Sequence, residues 1–485
     1  MRKIDLGDDR RALPTGRRHN TELVIVTWVF VLMFFALIAN LVYINVFKSE
    51  ELRNNINNTK ADSNAENIIR GSIITGSGTV LAVTNVDADG NETRSYPYEN
   101  IFAHVVGYAT NGKAGLEAEA NYDLLTSHSS LLGQLSQEES GEKVQGDNVV
   151  VTLNETLQQA AYYALGSYKG AVVVMEPDSG KILAMVSKPD FNPNIISQEW
   201  EEMVADTTSS ALLNRATQGL YPPGSTFKIL TALAYIQEHP NDYSDFSWNC
   251  EGTISREDVT ITCYNGEVHG TESLESAFAN SCNTAFANIG LELDNSDLID
   301  LTEKFLFNSS LPTSLQHSNS VFSLEKNSSL GEQMTTAIGQ GDTLVTPLHM
   351  ALITSSVANG GIMMRPYYID HIETFDGDVV KQNDPEIYKK VMTAEEAGIL
   401  TQYMTSTVTS GTAAYLSGTG YSVAGKTGSA EYETNGVTGT HSWFVGFADA
   451  TDPSIVVAVI AEDGGTGSST AVPIARQIFD TYYYG

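Results

Sequence analysis

The first pattern along the chain is a long run of apolar residues near the N-terminus. Leu23 to Ala39 is apolar except for Thr27, and the run continues through two asparagines to Phe47. A helix of about 25 residues rises about 37 Å, which is enough to cross the hydrocarbon layer of a membrane. The run is long for a cleaved signal peptide, and no small-x-small cleavage site closes it. We therefore predict an uncleaved transmembrane helix over residues 23–47.

Beyond this helix the pattern changes to a polar, Asn-rich stretch and then to short β-type runs at 72–74 and 80–83. Turn signals such as Asp89-Gly90 separate these runs, and the segment holds no obvious reactive cluster. That combination favours a spacer domain over a second enzyme. We expect a tail over 1–22, the membrane helix over 23–47, a β-rich pedestal domain over 48–150 and a larger domain over 151–485.

The larger domain begins and ends with strand-like runs. An amphipathic helix is predicted at 156–168, and a β-hairpin is predicted from two apolar runs joined by Asp178-Ser179-Gly180. The predicted strands lie at 148–153, 170–175, 181–187, 442–448 and 455–461, followed by a closing helix at 468–484. Strands at both ends with a mostly helical middle indicate an α+β fold, whose antiparallel sheet is flanked by helices and closed by the C-terminus.

Charge divides the chain at the predicted membrane helix. The 485 residues carry a net charge of -32, yet residues 1–18 hold six basic and three acidic side chains. Phosphate binding needs clustered Lys and Arg, so the acidic body excludes nucleic acid as a partner. Basic residues in front of the apolar run place the N-terminus in the cytoplasm and the body outside it by the positive-inside rule.

The first candidate for chemistry is Ser225, which follows Pro222-Pro223-Gly224 and precedes an apolar helical segment. Prolines end any preceding helix and serine is a favoured N-cap, so we expect Ser225 at a helix N-terminus, where oxyanions are stabilised. Lys228 shares its helix face and is the one charge in an apolar run. Desolvation favours its neutral amine, which a general base requires. The structural alternative is a capping serine beside a snorkelling lysine.

Two further motifs follow in the chain. Ser281-Cys282-Asn283 lies between two helix-like segments, where a hydroxyl can relay a proton and an amide can orient Lys228. Lys426-Thr427-Gly428-Ser429 precedes the C-terminal strands, and a glycine within a strand marks a close approach. Such a strand edge can bind a peptide, with Lys426 and the hydroxyls on its carboxylate. Taken alone, the first could be a helix-capping loop and the second a tight turn.

Each motif is weak alone, because Ser-x-x-Lys also occurs at Ser140 and Ser323, in polar stretches that we interpret as surface. The three motifs in this order, each in a suitable local context, are strong evidence. They are similar to the motif set of β-lactamases and penicillin-binding proteins. The chain resembles a class B, monofunctional penicillin-binding protein over essentially its whole length. Further landmarks are Arg70-Gly71-Ser72-Ile73, Gly115-Leu116-Glu117, Gly339-Gln340-Gly341, Thr346-Pro347-Leu348 and the segment His441 to Gly446.

The resemblance implies a peptidoglycan D,D-transpeptidase, with residues 151–485 as the transpeptidase domain. Ser225 would be the nucleophile, Lys228 the base and Ser281 the proton relay, with Asn283 and Lys426 completing the catalytic set. Thr427, Gly428 and Ser429 would bind substrate, and the N–H groups of Ser225 and Ser429 would form the oxyanion hole. Expected partners are stem peptides ending in D-Ala-D-Ala, β-lactams, the cytoplasmic membrane and a glycosyltransferase of the SEDS family. The alternatives are a D,D-carboxypeptidase and a β-lactam sensor or scaffold.

The sequence holds three cysteines, Cys250, Cys263 and Cys282, and no cofactor motif. Their spacing does not match a familiar metal-ligand pattern, so we predict no metal site. An oxidising exterior would allow Cys250 and Cys263 to form a disulfide across a short loop. Cys282 is interpreted as a small buried filler rather than a reactive thiol.

Overall fold

The computed structural model describes residues 21–44, 46, 65–130, 143–206, 208–434 and 436–485. Its strands, in chain order, are β1 (Ile68–Ile69), β2 (Ile73–Thr75), β3 (Val80–Val86), β4 (Glu92–Ser95), β5 (Val144–Gln145), β6 (Asn148–Val151), β7 (Gly170–Met175), β8 (Ile182–Lys188), β9 (Trp248–Cys250), β10 (Thr253–Arg256), β11 (Val259–Thr262), β12 (Gly270–Glu272), β13 (Ile362–Met364), β14 (Ile369–Glu373), β15 (Val379–Gln382), β16 (Ile387–Lys390), β17 (Val423–Thr434), β18 (Val437–Ala448) and β19 (Ile455–Ala461).

The α-helices are α1 (Thr21–Tyr43), α2 (Ala103–Val106), α3 (Gly115–Glu119), α4 (Asn121–Leu124), α5 (Glu155–Leu165), α6 (Ile196–Ala205), α7 (Arg215–Gln218), α8 (Lys228–Glu238), α9 (Leu274–Ala279), α10 (Asn283–Glu292), α11 (Asn295–Lys304), α12 (Leu330–Ala337), α13 (Pro347–Ala358), α14 (Ala394–Thr409) and α15 (Val472–Tyr484). Short 3₁₀ turns at Glu99–Phe102, Gly224–Phe227, Tyr243–Asp245, Tyr264–Gly266 and Ala414–Leu416 and a π turn at Gly467–Ala471 complete the described elements.

Helix α1 belongs to a compact unit separate from the body of the protein. It is long and apolar enough to span a membrane, with a mean hydropathy of 2.6 over Glu22–Tyr43. Its large apolar side chains are exposed, Phe30 by 66% and Phe34 by 69%, which in water would be unfavourable and in lipid is expected. The last residues of the predicted span, Asn45 and Phe47, lie outside the described residues.

The main sheet is antiparallel and has the strand order β17-β18-β19-β7-β8. β19 pairs with β7, so the C-terminal strands close onto the first hairpin of the larger domain, as predicted. β19 is a buried seven-residue apolar run, because helices cover both faces of the sheet. α5 and α15 pack on one face, and α13 packs on the other. The α+β fold class is confirmed, although the middle of the chain also contains the strands β9–β16.

A second sheet has the order β15-β14-β6-β2-β3-β4. β6 pairs in parallel with β2 and antiparallel with β14, so a segment after residue 368 adds two strands to the N-terminal β-rich region. This sheet joins segments from both sides of the expected boundary at residue 150. The domain boundaries of the sequence analysis therefore stay a prediction.

Candidate active site

Ser225 lies in a tight turn at the start of a buried helix. Gly224–Phe227 form one 3₁₀ turn, and α8 begins directly after it at Lys228. Gly224 has a φ of 52°, a left-handed conformation that glycine adopts without strain, and its N–H donates to the carbonyl oxygen of Gly339 at 2.9 Å. The turn leaves Ser225 half-buried in the wall of a cleft of about 880 Å³.

Ser225 lies at the N-terminus of the helical segment, as predicted, but it is not the N-cap residue. The 3₁₀ turn begins at Gly224, with Pro223 as its N-cap, and no side chain caps its first turn. The hydroxyl of Thr226 donates to the carbonyl oxygen of Pro223 at 2.7 Å. Within the described part of the chain, Oγ of Ser225 makes no hydrogen bond, so capping does not occupy the group expected to react.

Lys228 is fully buried and its amine contacts the second motif. Nζ donates to the carbonyl oxygen of Ser281 and to Oδ1 of Asn283, both at 2.8 Å, and lies 3.4 Å from Oγ of Ser281. Burial lowers the pKa of Lys228 to about 8. An amine with a pKa in this range is partly neutral near neutral pH, which a general base requires.

The Ser281–Cys282–Asn283 segment connects α9 to α10, as the sequence predicted. Ser281 has a φ of 57°, a left-handed conformation that costs a non-glycine residue free energy and that clusters at functional sites. Cys282 is the N-cap of α10, and its Sγ accepts a hydrogen bond from the N–H of Ala285 at 3.5 Å. The strained turn and the cap together fix the direction in which the hydroxyl of Ser281 and the amide of Asn283 point.

Lys426 reaches the same hydroxyl from the opposite side. Its Nζ donates to Oγ of Ser281 at 2.9 Å and to the carbonyl oxygen of Thr427 at 3.1 Å. Burial, together with the nearby charge of Lys228, lowers the pKa of Lys426 well below its ordinary value. The hydroxyl of Ser281 therefore lies between two amines whose protonation is easily changed, an arrangement suited to passing a proton.

Strand β17, which carries Lys426 to Ser429, is the edge strand of the main sheet. A β-carbon added to Gly428 would lie 2.9 Å from Cβ of Trp443 and 3.1 Å from Cγ2 of Thr226, so only glycine allows the strand to approach the turn of Ser225. Thr427 and Ser429 line the cleft on this edge. An exposed strand edge beside hydroxyl groups is a site where an extended peptide can add as a further strand.

Sequence reasoning missed Thr412, whose hydroxyl lies 2.5 Å from that of Thr427. Thr412 follows α14 with no local signal, and only folding brings it to β17. The interpretation of a second Ser-x-x-Lys pair as surface is confirmed, because Ser323 and Lys326 are both exposed. The third pair begins at Ser140, which lies outside the described residues.

The chain is similar to known proteins over both of its larger regions. Residues 170–480 match the penicillin binding protein transpeptidase domain, and residues 70–149 match the penicillin binding protein A dimerisation domain. The chain belongs to the class B penicillin-binding proteins. It is 33% identical to the peptidoglycan D,D-transpeptidase PbpA of Mycolicibacterium smegmatis, over 94% of this chain and 98% of that protein.

Solved structures are similar to this penicillin-binding protein in fold. A ceftriaxone acyl-enzyme complex of penicillin-binding protein A from M. tuberculosis has a TM-score of 0.79 and 31% identity, covering 87% of this chain and 99% of that chain. The D,D-transpeptidase domain of a peptidoglycan glycosyltransferase from Eggerthella lenta has a TM-score of 0.78 and 33% identity, covering 86% and 98%. The family and the apolar helix α1 together indicate a membrane-anchored acyltransferase.

Two landmarks of the penicillin-binding protein have a structural explanation. Glu117 is fully buried and pairs with Arg70 at 2.5 Å and with Arg94 at 2.7 Å. Although burial opposes ionisation, the two guanidinium groups hold the pKa of Glu117 below its ordinary value. Trp443, in the second landmark, donates its indole N–H to the carbonyl oxygen of Pro222 at 3.0 Å and so braces the turn of Ser225.

The structure corrects the expectations for the cysteines. Cys250 and Cys263 are free, with their Sγ atoms 3.7 Å apart, so the predicted disulfide is absent. Cys282 is buried, as expected of a filler. The three thiols and His269 nevertheless come within 4.8 Å of one another, which the prediction of no metal-ligand set did not foresee. Spacings of 13, 6 and 13 residues gave no local signal for this cluster.

Proposed function

We propose that this protein is a peptidoglycan D,D-transpeptidase that cross-links stem peptides through an acyl-enzyme on Ser225. The observation that carries the proposal is the convergence of three distant motifs on one hydroxyl. Lys228 and Lys426, almost 200 residues apart in the sequence, both contact Ser281 in the cleft that Ser225 lines. A fold without this chemistry has no physical need to bury two amines beside one serine.

In the acylation step, Oγ of Ser225 attacks the carbonyl carbon between the two D-Ala residues and passes its proton to the neutral amine of Lys228. The N–H groups of Ser225 and Ser429 stabilise the oxyanion that forms. The C–N bond then breaks, and Ser281 gives its proton to the leaving D-Ala amine while it takes up the proton that Lys228 received from Ser225. Lys426, Thr427 and Ser429 bind the terminal carboxylate, whose negative charge favours the protonated form of Lys426. Asn283 holds Lys228 in position.

In the second step an amine of a neighbouring stem peptide attacks the ester carbonyl. A new amide bond forms, the ester C–O bond breaks, and the proton lost by the attacking amine passes through Lys228 to Oγ of Ser225. β-Lactams imitate the D-Ala-D-Ala end and acylate the same serine. The D,D-carboxypeptidase and sensor alternatives gain no support from the relatives, which are named as transpeptidases.

The charge distribution supports an N-terminus in the cytoplasm and a catalytic domain outside it, since six basic residues precede α1 and the rest of the chain is strongly acidic. The matched domains are a dimerisation domain and a transpeptidase domain, so we propose that a separate glycosyltransferase supplies the glycan strands that are cross-linked. A SEDS-family enzyme in the same membrane stays our prediction for this partner.

The test is covalent labelling of the full-length protein with a fluorescent penicillin. We expect stoichiometric labelling of the wild type and none of Ser225→Ala. Ser323→Ala is the matched control, because Ser323 also begins a Ser-x-x-Lys sequence but is exposed. Labelling of Ser225→Ala at the wild-type level would refute the assignment of the nucleophile. Mass spectrometry of products from a peptidoglycan substrate then distinguishes cross-linked peptides from the hydrolysis that a carboxypeptidase would give.

A further inference from the structure

Next to the catalytic cleft, four side chains with metal-ligating atoms converge. Cys250, Cys263, His269 and Cys282 each offer one atom, and these atoms all lie within 4.8 Å of one another. They come from separate pieces of backbone. Cys250 ends β9, Cys263 follows β11, His269 precedes β12, and Cys282 caps α10. The pairing of Cys250 with Gly270 across β9 and β12 brings His269 beside the first thiol.

Three of the distances within this cluster are close to the edges of a tetrahedron around one ion. Zn²⁺ binds thiolate sulfur at about 2.3 Å and imidazole nitrogen at about 2.0 Å, which gives S–S edges of about 3.8 Å and S–N edges of about 3.5 Å. Sγ of Cys263 lies 3.7 Å from Sγ of Cys250 and 3.8 Å from Sγ of Cys282. Nδ1 of His269 lies 3.3 Å from Sγ of Cys250. A disulfide needs an S–S distance of about 2.0 Å, so the thiols are arranged around a common centre and not as a bonded pair.

The cluster is largely buried and has supporting contacts. The three cysteines are at most 2% exposed, and the side chain of His269 is 10% exposed. The hydroxyl of Thr284 lies 3.3 Å from Sγ of Cys282 and 3.8 Å from Sγ of Cys263. The N–H of Ala285 donates to Sγ of Cys282 at 3.5 Å, at the N-terminus of α10. A closed set of three thiolates and one imidazole is the donor set of a structural zinc site.

Few buried side chains and no large sheet stabilise the segment that carries Cys250, Cys263 and His269. Most side chains between residues 251 and 269 are exposed, and β9–β12 form two separate two-stranded sheets. Two-stranded hairpins are marginally stable in water, and small segments with few buried side chains often depend on a metal ion or a disulfide. An odd number of cysteines cannot all pair in disulfides, so one metal ion satisfies the four donors better than a single S–S bond does.

We propose that Cys250, Cys263, His269 and Cys282 bind one Zn²⁺ ion. The ion holds the Ser281–Asn283 segment against residues 248–272, which contain β9–β12. Cys282 lies between Ser281 and Asn283, so a metal bond to its sulfur restrains both neighbours. The amide of Asn283 also donates to the carbonyl oxygen of Thr262, next to Cys263, at 3.0 Å. The ion takes no part in the chemistry. It positions the residues that hold Lys228.

The first measurement is the metal content of the full-length protein, purified in detergent under reducing conditions and supplied with zinc chloride. Elemental mass spectrometry should find about one zinc per chain in the wild type. The Cys250→Ser/Cys263→Ser variant should hold less than about a tenth of that, whereas His239→Ala should keep it. His239 is a suitable control because it is a partly exposed histidine outside the cluster. A wild type without zinc, or a double cysteine variant that keeps it, would overturn the proposal.

A second measurement does not depend on whether a variant folds. Replacement of zinc by Co²⁺ in the wild type should give visible d–d bands typical of tetrahedral geometry and thiolate-to-metal charge-transfer bands in the near ultraviolet. Octahedral, pale Co²⁺ spectra without a charge-transfer band would contradict a site with three thiolates. Peptide mapping that finds Cys250 and Cys263 disulfide-bonded in protein taken directly from membranes would also contradict it.

The positioning role predicts slower acylation when the ion is removed. Chelation should reduce the rate of fluorescent penicillin labelling by about 10- to 100-fold, because misplacement of catalytic groups by about 1 Å has effects of this size. Re-addition of zinc should restore the rate, and a chelated enzyme that is labelled at the wild-type rate would refute the positioning role. This result is separable from the proposed function. A zinc-replete protein that penicillin never labels would refute the transpeptidase and leave the metal site intact.

Discussion

Ser281 is the residue at which the catalytic groups meet. Its Oγ lies 2.9 Å from Nζ of Lys426 and 3.4 Å from Nζ of Lys228, and its backbone has a left-handed φ of 57°. Two buried amines at such distances repel each other when both are charged. A substrate carboxylate would favour a charge on Lys426, and the resulting repulsion would favour a neutral Lys228. The two lysines are therefore expected to act differently.

This difference gives a prediction for two variants. Lys228→Ala removes the general base, which typically costs 10²–10⁴-fold in rate, and should abolish measurable acylation by a β-lactam and by a D-Ala-ended thioester. Lys426→Ala removes one charge-assisted contact worth about 1.5–3 kcal/mol and should acylate slowly. The acylation rate of Lys426→Ala should fall more for ligands with a carboxylate than for an ester without one. Rate constants for labelling provide the measurement.

The exposed Lys326→Ala is the matched control for both variants and should acylate at the wild-type rate. Equal rates for Lys228→Ala and Lys426→Ala would contradict the division of roles. So would a Lys426→Ala variant that loses the same factor with every ligand, because the lysine would then not interact with the carboxylate.

At the scale of elements, the contact between β17 and the turn of Ser225 shapes the cleft. Gly428 is the point of contact, because a β-carbon added there would meet both Trp443 on β18 and Thr226 in the turn. Gly428→Ala places a methyl group at 2.9 Å from Cβ of Trp443, closer than non-bonded carbons can lie. The strand must move away from the turn. We expect a fall in the acylation rate of about 100-fold, measured with a fluorescent penicillin.

Gly398→Ala is the control for this substitution. Gly398 lies within α14, and a β-carbon there would meet nothing within 4 Å, so the variant should label normally. A Gly428→Ala protein that is labelled at the wild-type rate would show that the strand edge does not need its present distance from Ser225.

The N-terminal sheet depends on a buried ionic link between elements. Glu117 on α3 connects Arg70, which follows β1, to Arg94 on β4. Removal of one member leaves buried charges without a partner, which typically costs about 3–5 kcal/mol. Glu117→Ala should therefore lower the free energy of unfolding by about that amount, measured by denaturant unfolding of the full-length protein.

The comparison for Glu117→Ala is Glu92→Ala, which breaks a solvent-exposed pair between Glu92 and Lys143. Exposed pairs contribute about 0–1 kcal/mol, so this variant should unfold almost as the wild type does. Equal effects of the two substitutions would contradict the role given to the buried link.

At the scale of the whole molecule, the proposed orientation in the membrane is testable. A protease added to intact cells stripped of their wall should digest the chain beyond residue 48, and an epitope tag placed before Met1 should remain protected. The reason is that basic residues remain on the cytoplasmic side, whereas the acidic body is outside. If the protease digested the tag and left the body intact, the opposite orientation would hold.

The sequence alone determined the features that depend on local order. The apolar run of α1, the hairpin of β7 and β8, the C-terminal strands and the helix after Ser225 follow from periodicity and turn residues over a few positions. The three motifs, and with them the family, could be identified because each is a short stretch of chain in a suitable local context. Local order did not give the N-cap itself, which is Pro223, two residues before Ser225.

Tertiary structure alone decided which distant residues meet. No local pattern indicates that Lys426 contacts Ser281, 145 positions away, that Glu117 joins two arginines, or that β14 pairs with β6. Cys250, Cys263, His269 and Cys282 give no signal in the sequence, because their spacing is too wide for a familiar ligand pattern. Such contacts depend on how helices and strands pack around the core, and packing is a property of the whole fold and not of neighbouring residues.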